Sequence, residues 1–364
     1  MTIRYVGSGG NDANSGLSWA LRKLTLNGVE DTPVAAGDTV YVGAGTYREL
    51  LTVDVSGTAD NPISYIGDYR GANTDGVGGV VRITGSDDDK SATRASCITD
   101  GAAARNYRTF AGFQLDTTTN DSLVKLSGGG TNTTIYNCIF LPSGSGSIRL
   151  SGTGTNHAVY SCLLWHTQGS GMLVSHSATV SASGIAIYNN TILSGASGIL
   201  ITRVGGITIK NNTFVGRMGR CIYIDTALAG GQTLTVYDNT FYACASTAAI
   251  TITADGELVE DYNAFYGNAA NITGGTPPAI GAHSVAYPLL PDTRWFFEMV
   301  NGGRLVTPFD LASYSQLIDL AGTSPSAADM RGTGTVGAQR EWGALEYDAT
   351  LLNAATTRYV MIKH

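Results

Sequence analysis

The residues that could do chemistry are few. Arg203, Lys210 and Arg220 fall on neighbouring repeats close to Asp225, with Arg217 among them. A metal-free elimination needs a base such as Arg, Lys or His, with a neutralising cation beside it. Arg203, Lys210, Arg220 and Asp225 therefore form a candidate lyase-type site. The same residues also read as a solvated face carrying scattered ion pairs.

Carboxylate chemistry is poorly provided for. No Asp or Glu occurs between Asp121 and Asp225. Glycoside hydrolysis needs two carboxyl groups flanking one bond. A calcium-dependent lyase needs several oxygen ligands, mostly carboxylates. Residues 122–224 can build neither, and Asp238, the next acid after Asp225, occupies a turn position. His157, His166 and His176 lack metal-ligand spacing and read as surface or turn histidines. Asn11-Asp-Ala-Asn-Ser-Gly16 starts like a calcium loop but has no closing Glu, so it reads as an Asx-rich turn. Asp87-Asp-Asp-Lys90 reads as a solvated acidic loop. No metal and no cofactor is expected, and the residues lean away from an enzyme.

A second candidate surface is aromatic. Tyr136, Tyr160, Tyr188 and Tyr237 recur at one position of a repeat, and Lys210 completes the row. Stacked on a sheet face, such residues support neighbouring strands. They also suit a protein interface, where Tyr is enriched, or a sugar-stacking platform.

The repeat that carries this row must position everything else. Thr134-Ile-Tyr-Asn-Cys-Ile-Phe140 recurs as Ala158-Val-Tyr-Ser-Cys-Leu-Leu164, Ala186-Ile-Tyr-Asn-Asn-Thr-Ile192, Thr208-Ile-Lys-Asn-Asn-Thr-Phe214 and Thr235-Val-Tyr-Asp-Asn-Thr-Phe241. Its fifth residue falls at 113, 138, 162, 190, 212, 239 and 263. So regular a step marks a solenoid. Within the phrase, apolar and polar residues alternate with period two, the strand signal. Ile135, Val159, Ile187, Ile209 and Val236 should point inward and the tyrosines outward. The Asn pair then turns the chain. Further strand-like runs lie between copies, as in Gly198-Ile-Leu-Ile201, with no helical stretch. The expected fold is all-β: a single-stranded parallel β-helix of about eight coils, a rod roughly 40 Å long.

The rod needs ends, because a solenoid's terminal coils expose strand edges and an apolar cross-section. Residues 1–62 read as an N-terminal cap and first strands, with a short helix near Ala20–Val29. Residues 63–268 read as coils, and 269–364 as an irregular C-terminal cap and tail, with Trp295-Phe-Phe297 as apolar cover. Charged residues make up only 14% and the net charge is −7 without a basic cluster, which argues against a nucleic-acid partner. No apolar run is long enough to span a membrane. Five Cys in no framework spacing, and no signal peptide at Met1, fit a cytosolic folding compartment. Cys138 and Cys162 share the Asn position and should stack inside as small apolar residues, a disulfide between them being the alternative.

The opening run, with Gly37-Asp-Thr-Val-Tyr-Val42 and Gly45-Thr-Tyr-Arg48, resembles that of right-handed parallel β-helix proteins of the pectate-lyase-like superfamily. Asp329-Met-Arg-Gly332 and Arg340-Glu-Trp-Gly-Ala-Leu-Glu346 resemble their closing segment. Gly67-Asp-Tyr-Arg-Gly71 with Arg82-Ile-Thr-Gly-Ser-Asp87 looks most like β-helix proteins of tailed phages. The resemblance implies a right-handed β-helix and a non-enzymatic virion component, a head decoration, fibre or tail accessory protein assembled in the host cytoplasm. Its partners would be other virion proteins, further copies in a homotrimer, or host surface polysaccharide. The alternatives are a polysaccharide-degrading tailspike or lyase and a carbohydrate-binding adhesion module.

Overall fold

The computed structural model describes residues 1–287 apart from 33, 102, 167–168, 181–182, 194, 216–218, 226–232, 245–246, 254–257 and 275–278, together with 296–297 and 360–361. Three parallel sheets of ten, ten and nine strands run along a right-handed β-helix of nine full turns. One turn contains Thr133–Tyr136 in the first sheet, Ile139–Phe140 in the second and Gly146–Gly152 in the third. The next repeats it with Ala158–Tyr160, Leu163–Trp165 and Ser170–Val180. Register between turns is strict: Ile135 pairs with Val159, Phe140 with Leu164 and Ile148 with Met172. The first turn is Thr39–Val42, Gly45–Tyr47 and Leu51–Thr52, inside the span read as cap and first strands.

The recurring phrase explains the bend between the first and second sheets. Its first Asn-type residue adopts a left-handed conformation: Asn137, Asn189, Asn211 and Asp238 have φ of 52°, 55°, 53° and 56°. Asn and Asp tolerate this region better than other L-residues do. The next residue points inward. Asn190, Asn212, Asn239 and Asn263 are completely buried and form a ladder. The backbone N–H and the Nδ2 of Asn190 both donate to Oδ1 of Asn212, each at 3.0 Å. Asn212 repeats this to Asn239, and Asn239 to Asn263. The inward column beside it is buried from Ile135 to Val236, and Phe214, Phe241 and Phe265 stack at 5.0 Å centroid spacing.

At the N-terminal end a 3-10 turn, Trp19–Leu21, precedes the helix Leu26–Glu30. Gly7 and Gly43 make room for the Trp19 ring, since a Cβ on either would approach it to 2.3 or 2.4 Å. Glu30 meets Arg108 at 3.8 Å inside the coil, with both side chains nearly inaccessible. Cys138 and Cys162 are buried free thiols, while Cys221 and Cys244 form a disulfide between adjacent turns, a bridge that the sequence reading did not contain. His157 and His166 are buried, at 4% and 2% exposure, so the surface reading fails for both. His157 faces inward, and its Nδ1 accepts from the Thr133 N–H at 3.3 Å. Among the described residues no helix is long and apolar enough to cross a membrane. Phe296–Phe297 pairs antiparallel with Val360–Met361. Trp295 and the closing segments 329–332 and 340–346 lie outside the described residues.

Candidate functional site

The third sheet carries the candidate site. Its strands lengthen in the middle of the rod: Gly146–Gly152, Ser170–Val180 and Ser197–Val204. Side chains alternate across each strand. In Gly146–Gly152, Ile148 and Leu150 are buried, while Arg149 and Ser151 face outward. Register then sets Ser151 beside Ser175 and Ser175 beside Thr202. Small hydroxyl side chains on successive rungs leave space above the sheet. The result is a cavity of about 480 Å³ floored by Ser127, Ser151, Ser175 and Thr202 and flanked by Arg149 and Arg203.

Two backbone irregularities lie beside it. The pairing of Ser170–Val180 with Ser197–Val204 slips between Ser175 and Val180. Such bulges re-aim side chains and are frequent beside functional sites. Arg203 has φ of 61°, the left-handed region, which costs an L-residue roughly 1–2 kcal/mol. That conformation falls inside the strand Ser197–Val204, next to the slip in pairing.

The electrostatics favour anions. Residues 122–224 hold Lys125, Arg149, Arg203, Lys210, Arg217 and Arg220 and no acidic residue. Arg149 lies 3.5 Å from Asp121, which Lys125 holds more tightly at 2.7 Å. Burial pushes the Asp121 carboxyl up, but Lys125, the Ser122 N–H and Arg149 more than offset it, and it stays below the usual range. The Nε–H of Arg149 is buried without a hydrogen-bond partner. Asp100 is turned away from the cavity's needs, because its oxygens accept from the Ser127 and Gly128 N–H groups at 2.8 and 3.0 Å. A guanidinium presents planar paired donors that fit a carboxylate or sulfate.

The residues named from sequence are distributed as follows. Asp225 follows the strand Arg220–Ile224, and its N–H donates to Ile201 at 3.1 Å, so it lies one rung from Thr202 and close to Arg203. Arg220 stands at the opposite end of that strand, paired with Ser197, and its guanidinium lies 4.1 Å over the Tyr223 ring. Lys210 is on the first sheet, in register with Tyr188 and Tyr237. Arg203 and Asp225 thus share a neighbourhood, Arg220 and Lys210 do not join them, and Arg217 lies outside the described residues. Arg149 and the hydroxyl floor were missed. Ser and Thr are common everywhere in this chain, and only the register reveals that four of them share a column.

The tyrosine row forms as the phrase implies. Tyr136 and Tyr160 stack at 5.1 Å and 4°, and Tyr160 and Tyr188 at 4.8 Å and 5°. The Lys210 ammonium leans over Tyr237 at 5.3 Å. Burial between the rings pushes the Tyr160 phenol up to about 12. Because the ring faces are spent on one another, the row presents edges and hydroxyls outward. A sugar-stacking platform needs open faces, and the stacked rings leave none between neighbours along the row.

The acidic loops are structural. Asp12 accepts from the Leu24 and Thr25 N–H groups, both at 2.9 Å. Asp87 pairs with Arg94 at 2.7 Å, Asp88 accepts from the Lys90 and Ser91 N–H groups, and Asp89 bridges Arg48 and Arg82. The two arginines hold the Asp89 carboxyl down at about 2. No group of three His, Cys, Asp or Glu placed to hold a metal occurs among the described residues.

Residues 124–280 match the protein family described as the right handed beta helix region. No curated protein matches the chain. Among solved structures, a pectate lyase is similar at TM-score 0.51 and 16% identity, covering 96% of this chain and 97% of that one. A rhamnogalacturonan lyase is similar at 0.54 and 14%, covering 97% and 98%. A GH136 lacto-N-biosidase from Eubacterium ramulus is similar at 0.53 and 12%, covering 79% and 68%. At such identities the likeness is one of fold. Nothing among these likenesses supports the virion role that the sequence suggested.

Proposed function

We propose that this β-helix binds an acidic polysaccharide across its third sheet, in the cavity between Arg149 and Arg203. The observation that carries the reading is that these two guanidiniums flank a floor of hydroxyls within residues 122–224, a stretch of sequence without acidic residues that Asp121 and Asp225 bound. Each part has a chemical counterpart in such a ligand. The guanidiniums match a carboxylate, and the hydroxyls of Ser151, Ser175 and Thr202 match the sugar's own hydroxyls. Rungs spaced roughly 4.8 Å apart give a regular floor along which a chain of sugars can lie. The fold shared with a pectate lyase and a rhamnogalacturonan lyase is consistent with this use of the rod.

The lyase alternative builds on the same place. Arg203 with Arg149 would neutralise the sugar carboxylate, which makes the neighbouring C–H more acidic. The lack of paired carboxylates in 122–224 disfavours glycoside hydrolysis at this sheet. The test is binding to polygalacturonate measured by calorimetry, beside a neutral polysaccharide of similar length. Arg149→Ala and Arg203→Ala should each weaken polygalacturonate binding about tenfold or more, the loss expected when a charge-assisted contact goes. Equal affinity for the neutral polymer, or unchanged binding in both variants, would overturn the proposal. Ultraviolet absorbance of an unsaturated product in the same mixtures reads whether binding leads to cleavage.

A further inference from the structure

The outer face of the third sheet carries two parallel tracks. One is the hydroxyl column of Ser151, Ser175 and Thr202. The other stands two residues earlier on the same strands, roughly 7 Å away across the sheet. Register runs this second track as Lys125, Arg149, Leu173, Leu200, Tyr223 and Thr251 on successive rungs. Met172 and Val174 beside Leu173, Ile199 and Ile201 beside Leu200, and Ile222 and Ile224 beside Tyr223 are all buried. Alternation therefore turns Leu173, Leu200 and Tyr223 outward, where they are half-buried. The track is polar on either side of them, with Arg149 before and Thr251 after.

The apolar stretch thus falls beside Ser175 and Thr202 and one rung beyond. Its last member is braced, because the Arg220 guanidinium lies 4.1 Å from the centre of the Tyr223 ring, a cation–π contact that fixes the ring's plane. The same contact sets a second cation three rungs, roughly 14 Å, along the rod from Arg149. A sugar ring is amphipathic in the matching sense, with C–H groups on its faces and hydroxyls around its edge. Lying over both tracks, it sets a face on Leu173, Leu200 or Tyr223 and its edge on Ser175 and Thr202. A carboxylate held over the two leucines would instead lose its water without gaining a partner.

Taking the cavity proposed above as the place where an acidic group binds, we infer that Leu173, Leu200 and Tyr223 form a ledge for neutral sugars. The ligand is then a heteropolysaccharide whose acidic sugars are separated by neutral ones. It runs along the rod axis, with one acidic group at Arg149, neutral sugars on the leucines and the next acidic group at Arg220. A polymer with an acid on every sugar brings charge onto the leucines and binds more weakly.

The test compares two polymers on the full chain by calorimetry. One is deacylated gellan, in which neutral sugars separate the glucuronates, and the other is polygalacturonate, with an acid on every sugar. The parent should bind gellan about tenfold more tightly. Leu200→Asn and Tyr223→Ala, with melting temperatures near the parent's, should each lower gellan affinity about tenfold and leave that for polygalacturonate within about twofold. Gellan bound no more tightly than polygalacturonate by the parent, or ledge variants that weaken both polymers alike or neither, would overturn the inference. Arg149→Ala separates the ledge from the cavity beneath it. That variant should weaken both polymers. If it weakens neither, the cavity reading falls and the ledge with it; if it weakens both while the ledge variants change nothing, the ledge alone falls.

Discussion

Arg108 occupies an inward position of the first sheet, where the coil before has Ile63 and the coil after has Thr133. Alternation alone makes that position a core one, and a lone guanidinium there would be costly. The helix Leu26–Glu30 supplies the answer by setting Glu30 at 3.8 Å, with exposures of 1% and 3% for the two side chains. Arg108 also donates to the Tyr65 hydroxyl at 3.1 Å. Burial pulls the guanidinium down to about 10, with Glu30 opposing that shift, and it pushes the Glu30 carboxyl above its ordinary value. Breaking such a pair strands the survivor. Arg108→Met should cost about 3–5 kcal/mol in chemical denaturation, and adding Glu30→Gln should recover most of it. A single variant within about 0.5 kcal/mol of the parent would show that the pair is not what holds the cap to the coil. Nothing in the sequence marked this contact, because period-two alternation gives a residue's face but not which coil lies beneath the helix.

The element that repeats most faithfully is the bend between the first and second sheets, and its two Asn-type residues do different work. Asn212 accepts two hydrogen bonds from Asn190, and its Nδ2 donates to the Ile187 and Lys210 carbonyls, both at 3.0 Å. Asn212→Ala leaves these buried groups unmatched and should cost about 3 kcal/mol or more. Asn189, at φ 55°, combines the turn with one buried hydrogen bond, its Oδ1 accepting from Asn211 Nδ2 at 2.7 Å, so Asn189→Gly should cost about 1 kcal/mol and Asn189→Ala about 2 kcal/mol. Thermal denaturation of the three variants checks the order, and equal losses at both positions would refute the division. This bend was legible in the sequence because turn residues, inward Ile or Val and outward Tyr coincide in one short phrase. The slip after Ser175 was not legible, since extra residues inside a long strand look like a turn when only composition is visible. The cavity depends on the Ser151, Ser175 and Thr202 column, which only the register between turns brings together, so the site stayed hidden while the fold was plain. The disulfide was hidden for a related reason. Cys221 lies on the third sheet and Cys244 just past the second, and a sequence separation of 23 becomes a contact only once the coil closes.

At the scale of the whole molecule, charge is partitioned along the rod. The chain carries a net −7, yet residues 122–224 hold six basic side chains and no acidic one. The first three coils instead pair their charges locally, in Arg48, Arg82, Asp89 and Asp116. A polyanion approaching from a distance meets the net negative field, whereas one lying on the third sheet meets Arg149 and Arg203 within a few ångströms. Which field wins depends on screening. At about 0.15 M salt the Debye length is roughly 8 Å, so the distant repulsion is already damped while contacts inside the cavity persist. At about 1 M it is roughly 3 Å, and even those contacts weaken. Affinity for polygalacturonate should therefore pass through a shallow maximum at moderate salt and fall roughly tenfold towards 1 M, while any binding of a neutral polysaccharide should stay flat. Lys125→Glu, which places an anion beside Asp121 without touching the cavity lining, should lower affinity most at low salt and least at high salt. A variant that weakens binding equally at every salt concentration would mean that Lys125 acts through packing, and the positive coils would then not be what draws the ligand to the third sheet.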